Sequence, residues 1–405
     1  HRVRRVLSRY SGVRLPIAAL AVGVVLWIVW LGGLAGQGFE RDVDGNVIGV
    51  DHSIFHTAGK LVVEGDAELL YTVEEFNAAL TEVRGRRANK ATPHYLNPPG
   101  VAYLFAPLSL LPRMLGWLAL GLVGFGAISL AFRAVGVRTH WGAVIAVLSL
   151  PGWMNFRLGQ LAPLWALVFA VVYRLLRDDR QAQAGLVSGL LALKPQFGIV
   201  LALWWLFDFA KYRVAIAWSA GSAAVITVVT FAVTPDSISG FYDAAFGAVT
   251  DAKFPIGFSL NDTVLGLFPD AAELPVAVAV AAVGVGALWL VVRRHPDDLP
   301  LQFAAATMVA LWITPHLIAY DWMLLGPALA ALWVGRENQR SAWLTVGSMV
   351  AVWAATAWLL AQLGRDLFGV RLELAALGLA GIAVAAYWKL AAVSSSPSRT
   401  IPSDV

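Results

Sequence analysis

Apolar residues run through this chain in solid blocks rather than in alternation. Leu15 to Ala35 is almost wholly apolar, and further blocks cover 114–133, 141–155, 160–177, 182–193, 196–210, 213–234, 273–292, 299–314, 318–335, 341–363 and 370–391. Most approach the roughly 20 residues that a helix needs to cross a bilayer core. Barrel strands would alternate apolar and polar positions, so the blocks read as helices. The pattern predicts an all-α polytopic membrane protein with about twelve transmembrane helices. The short blocks on either side of Lys194-Pro195 read equally as one long helix broken at the proline.

The stretch 98–112 is apolar but short, with prolines at 98, 99, 107 and 112. It is expected to form a helix at the interface rather than a span, and the charges favour that choice. With twelve spans, Arg133/Arg138, Arg174/Arg177/Arg180, Lys211/Arg213, Arg293/Arg294, Arg336/Arg340 and Lys389/Arg399 share one side with the arginine-rich stretch before Leu15. Only Arg157, Lys194, Lys253, Arg365 and Arg371 remain in the short loops opposite. Lysine and arginine concentrate on the cytoplasmic side of membrane proteins. Both termini are therefore expected in the cytoplasm, and residues 36–113 and 235–262 become large outer loops. The block at 15–35 is too long for the apolar core of a cleaved signal peptide.

Composition agrees with this reading. Hydrophobic residues make up 59% of the 405 residues and charged residues 14%, against about 25% charged in a soluble domain. The net charge of +4 belongs to the loops and suggests no nucleic-acid partner. There is no cysteine, which excludes disulfides and thiolate chemistry. Phosphate-binding glycine loops, nucleophile elbows and dinucleotide fingerprints are absent as well. Four units are expected: residues 1–14 before the first span, a transmembrane module over 15–262 that includes both outer loops, further transmembrane helices over 263–392, and a Ser/Pro-containing disordered tail over 393–405.

The unusual polar residues fall on the expected outer face: His52, His56, His94, His316, Asp51, Asn97, Arg157, Gln160, Lys194, Tyr320 and Asp321 among them. They come from distant parts of the chain yet share one depth, and ionisable groups there are functional candidates. Asp51 suits a general base, or alternatively an N-cap for a helix starting near Ser53. Lys194 needs an anion or must snorkel, and Arg157 offers the same chemistry nearby. Asp321 would lie one turn deep among apolar neighbours and needs a partner; His316 and Tyr320 would share its helix. His52 and His56 are four apart, but no pattern of acidic or paired histidine ligands supports a metal.

Several strings resemble those of the C superfamily of integral-membrane glycosyltransferases, and within it glycosyltransferase family 87. They are Asp51-x-x-x-Phe55-x-x-Ala58-Gly59 with Gly65 and Leu70-Tyr71, then Tyr95-x-x-Pro98-Pro99 leading into Phe105-Ala-Pro-Leu-Ser-Leu-Leu-Pro112. Asn155-x-x-x-Gly159-Gln160, Gly189-x-x-Ala192-x-Lys194 and Pro315-His316 continue the set. The resemblance implies a GT-C fold with interface helices in a large first outer loop, and an inverting sugar transfer at the outer face of the cytoplasmic membrane. Asp51 would be the catalytic base. Lys194, His316 and Arg157 would hold the phosphate of a polyprenyl-phosphate sugar donor. His52, His56, His94, Tyr95, Asn97, Gln160, Tyr320 and Asp321 would contact sugar or acceptor. Mannose is the favoured sugar, arabinofuranose the alternative; a glycolipid or glycan is the acceptor, and no cofactor or metal is expected. Two positions depart from the family pattern: Leu161 follows Gly159-Gln160 where asparagine is common, and Tyr320-Asp321 stands where many members carry two histidines.

A polyprenyl-phosphate or sugar transporter is the competing function, and a non-catalytic envelope subunit a third. A transporter would place polar groups in both halves of the membrane and often shows an internal repeat. Neither is present in the sequence.

Overall fold

In the computed structural model the described residues are 21, 23–25, 27–36, 47–85, 95–137, 141–251, 273–314 and 318–334. They form helices and the turns between them, without a strand among the described residues. The helices are α1 (Gly23–Gly36), α2 (Val50–Glu64), α3 (Val73–Arg84), α4 (Pro99–Ser109), α5 (Arg113–Ala134), α6 (Trp141–Leu148), α7 (Leu150–Leu158) and α8 (Ala162–Arg177). There follow α9 (Gln181–Ser188), α10 (Pro195–Leu206), α11 (Phe209–Ala232), α12 (Ser237–Asp251), α13 (Glu273–Arg294), α14 (Leu299–Ile313) and α15 (Leu325–Val334). Short 3-10 segments occupy Ala67–Tyr71, Gly189–Leu193 and Ala319–Leu324.

Helices α5 and α11, with 22 and 24 residues, are long and apolar enough to cross a membrane. The other expected spans are more broken than the apolar blocks suggest. Block 141–155 divides into α6 and α7 because Ser149 Oγ accepts from Gly152 N at 3.3 Å, capping a new helix that opens on Leu150-Pro151. Block 318–335 opens as a 3-10 segment before becoming α15. At Lys194-Pro195 the chain breaks as expected, since proline has no N–H to continue the ladder. Stretch 98–112 forms the 11-residue α4, only about 16 Å long and so too short to span. The blocks 341–363 and 370–391 lie outside the described residues.

Close helix crossings depend on glycine. A Cβ on Gly59 would meet the Phe105 carbonyl carbon at 2.7 Å, so the absence of one lets α2 lie directly on α4. Phe55 then stacks on Phe105 with ring centroids 4.8 Å apart. Gly185 in α9 and Gly189 at the start of the following 3-10 segment do the same against α11, facing Ala215 O and Ser222 Oγ, and Ser188 Oγ donates to Ser219 Oγ at 2.8 Å. Small residues four apart are a standard route to tight crossings in membranes.

Two aromatic assemblies surround this frame. Trp27, Trp30, Trp117, Trp153 and Phe156 dock α1 against α5 and α7. In the main core, Phe169, Phe197, Trp204 and Phe303 are buried where α8, α10 and α14 meet. The buried amide of Gln302 in this core is fully engaged. Its Oε1 accepts from Trp204 Nε1 at 3.0 Å and Tyr212 Oη at 3.2 Å, and its Nε2 donates to the carbonyls of His295 and Pro296. By contrast α11 turns Trp218, Val225, Val228 and Val229 outward, as a lipid-facing helix does.

Candidate active site

Asp51 lies in the first turn of α2, and Gly49, in the left-handed region at φ 63°, takes the N-cap position. The alternative of Asp51 as N-cap is thereby removed. Its half-buried carboxylate is held from across the molecule: Gln160 Nε2 donates to Asp51 Oδ2 at 2.7 Å. Among the described residues, Asp51 Oδ1 accepts no hydrogen bond. Burial raises the Asp51 carboxyl above its usual range, while the Gln160 hydrogen bond and the charge of Arg84 pull it back.

The motif Asn155-x-x-x-Gly159-Gln160 explains how Gln160 arrives there. Asn155 O accepts from both Gly159 N and Gln160 N, closing α7 in an αL turn with Gly159 at φ 76°. A Cβ at Gly159 would collide with His52 Cβ. The glycine therefore lets the turn press against α2 and brings the amide within reach of Asp51.

His52 is wholly buried between Gly159, Gly116 and Phe105, with neither ring nitrogen hydrogen-bonded. Burial, with smaller contributions from His56 and Arg113, lowers it to about 3, so it is neutral at working pH. His56 is also lowered by burial; its Nε2 donates to Leu111 O at 3.0 Å, which fixes the tautomer.

A second polar centre forms where the 3-10 segment Ala319–Leu324 packs on α7 and α8. Lys194 Nζ stands 3.2 Å from Asp321 Oδ1, and Asp321 is 1% exposed. Asp321 Oδ2 is buried without a hydrogen-bond partner. Tyr320, next to Asp321 in the chain, is buried as well. Lys194 also lies 5.1 Å from the Phe197 ring centroid.

The other expected site residues among those described are Arg157, Tyr95 and Asn97. Arg157 sits over Trp153, 5.1 Å from its ring centroid, and its carbonyl accepts from Gly49 N at 2.9 Å. Tyr95 is buried against Tyr71 and Phe76, and Tyr71 Oη donates to Asn97 O at 2.6 Å. The strings Leu70-Tyr71 and Tyr95-x-x-Pro98 thus meet as one aromatic joint. His94 and His316 lie outside the described residues. Arg84 and Arg113, absent from the sequence-based set, both bond the turn before Asp51. Their only signal was being cations in an outer loop, which is shared with several others.

A cavity of about 520 Å³ opens at the opposite end of α8, beside Arg177, Lys211, Tyr212 and Asp297. It contains none of the expected site residues. Among the described residues no cluster of histidine and carboxylate side chains has metal-binding geometry.

The described residues are thus helical, include two apolar helices long enough to cross a membrane, and bring together a carboxylate–amide pair and a lysine–carboxylate pair. The model of glycosyltransferase family 87 matches residues 95–325, more than half of the chain, and the protein belongs to that family. It is a glycosyltransferase, as the motif strings implied. No curated protein and no solved structure matches. The matched region contains Gln160, Lys194 and Asp321 but ends short of α2, so Asp51 joins the site through the fold.

Proposed function

We propose that this protein is an inverting transferase. It moves a sugar, mannose in the favoured case, from a polyprenyl-phosphate sugar to a glycolipid or glycan acceptor at the outer face of the cytoplasmic membrane. Asp51 takes the proton of the acceptor hydroxyl. The oxygen attacks the anomeric carbon as the bond to the phosphate oxygen breaks, and polyprenyl phosphate leaves with the electron pair. Lys194 stabilises that departing charge, with His316 and Arg157 in support. Such a reaction needs no cofactor, because the donor carries its own activated bond.

One observation carries this reading: Asp51 is oriented through Oδ2 by Gln160 while Oδ1 has no partner among the described residues. A base needs one oxygen free for the incoming proton and a fixed orientation toward it. Asp51→Asn keeps the shape and removes the basic oxygen. The purified variant should still bind the lipid donor and lose transfer by about 10²–10⁴-fold. Wild-type transfer by that variant, assayed with mannosyl and arabinofuranosyl donors in parallel, would defeat the assignment.

A further inference from the structure

The turn that delivers Asp51 is gripped from three separate elements. Arg113 Nη1, at the start of α5, donates to Ile48 O at 2.7 Å. Gly49 N donates to Arg157 O at the end of α7 at 2.9 Å. Arg84, in the last turn of α3, donates through Nη2 to Val50 O at 2.8 Å and through Nε to Ser53 Oγ at 2.6 Å. None of these bonds uses the Asp51 carboxylate.

A half-buried carboxylate is driven toward its neutral form, whereas a general base must be ionised. A direct arginine–carboxylate fork would keep the charge but occupy the oxygens. Arg84 resolves this differently: its guanidinium is held by Val50 O and Ser53 Oγ, and its charge acts on Asp51 through space. The other ionisable groups nearby are committed elsewhere. His52 and His56 are kept neutral by burial, and Lys60 pairs with Glu82. Arg113 bonds Ile48 O, Arg157 lies over Trp153, and Asp321 pairs with Lys194, leaving Tyr320 as an uncharged neighbour.

We propose that Arg84 is a positioning residue for Asp51: it pins the first turn of α2 and supplies the countercharge while leaving the carboxylate open to the acceptor hydroxyl. This rests on the reading of Asp51 as base.

The test compares the full-length protein with Arg84→Gln, Arg84→Lys and Asp51→Asn, following transfer from polyprenyl-phosphate mannose across pH. Arg84→Gln should move the acidic limb of kcat/KM up by about one pH unit, roughly a tenfold lower rate on that side. Arg84→Lys, which keeps the charge but loses the fork, should return the limb to its wild-type position even if it melts at lower temperature. An unmoved limb in Arg84→Gln, or an equal loss at every pH in both Arg84 variants, would overturn the inference. If Arg84→Gln does not fold, a displaced limb in Arg84→Lys overturns it alone. Full activity in Asp51→Asn would instead remove the underlying reading. An inactive Asp51→Asn beside an unmoved limb removes only the role of Arg84.

Discussion

Lys194 Nζ and Asp321 Oδ1 are 3.2 Å apart although 127 positions separate them in the chain. The pair joins the break before α10 to the 3-10 segment ahead of α15, and Asp321 is almost fully buried. Removing one partner of such a pair strands the other charge. Lys194→Met should therefore cost about 3–5 kcal/mol of stability. The double variant Lys194→Met/Asp321→Leu should recover most of that loss, because two apolar groups leave no buried charge. Unfolding of the purified proteins in detergent checks this; a double variant as unstable as the single one would show that the residues do not act as a unit.

Asp51 carries a cost that function explains. Burial raises its carboxyl above the ordinary value of 3.8 in the folded protein. A group raised by folding adds stability below its unfolded value and loses that contribution as pH rises through the folded one. At pH 7 the buried anion is thus unfavourable. Asp51→Asn should melt at higher temperature than wild type at pH 7, and the difference should shrink toward pH 3. Equal melting at pH 7 would show that the anion is adequately solvated in place.

His52 works in the opposite sense. Its unfolded value is 6.5 and its folded value about 3, so the unfolded chain takes up the proton first as the solution is acidified. Its contribution to stability is complete above pH 6.5 and is lost progressively as pH falls toward 3. His52→Leu removes that proton uptake, so the variant should lose less stability than wild type between pH 7 and pH 4. Parallel thermal melts at the two pH values provide the comparison.

Gly189 tests whether a motif glycine serves packing. A Cβ there would overlap Ser222 Oγ and lie 2.6 Å from Ser222 Cβ. Gly189→Ala should destabilise by about 1–3 kcal/mol, as overpacking does. Ser222→Gly in the same chain should restore much of the loss. Lack of rescue would place the demand for glycine in the backbone at the start of the 3-10 segment instead.

Much of the helical framework could be read along the chain. Solid apolar blocks set the helical class, because a backbone in lipid must satisfy its own hydrogen bonds and a helix does so locally. Pro195 marked the break after Lys194, and the prolines around α4 marked a short helix, since both effects act within a few residues. Motif strings identified the glycosyltransferase family, and the polar residues that they contain include Asp51, Gln160 and Lys194; Asp321 stood out instead as a carboxylate among apolar neighbours where the family pattern is broken.

Only the tertiary structure decided how those four are paired. Asp51 with Gln160 and Lys194 with Asp321 are contacts across 109 and 127 positions, and no local periodicity encodes a partner at such range. Ser149 dividing one apolar block into two helices was equally hidden, because a cap depends on backbone geometry that hydropathy does not register. Arg84 was missed for the same reason as the pairings: its sequence neighbours are unremarkable, and its importance comes from where α3 folds back onto the first turn of α2. Burial of apolar surface is non-directional and leaves its trace in composition and pattern. Hydrogen bonds and ion pairs demand particular atoms at short distances, and the assembled helices alone supply those distances.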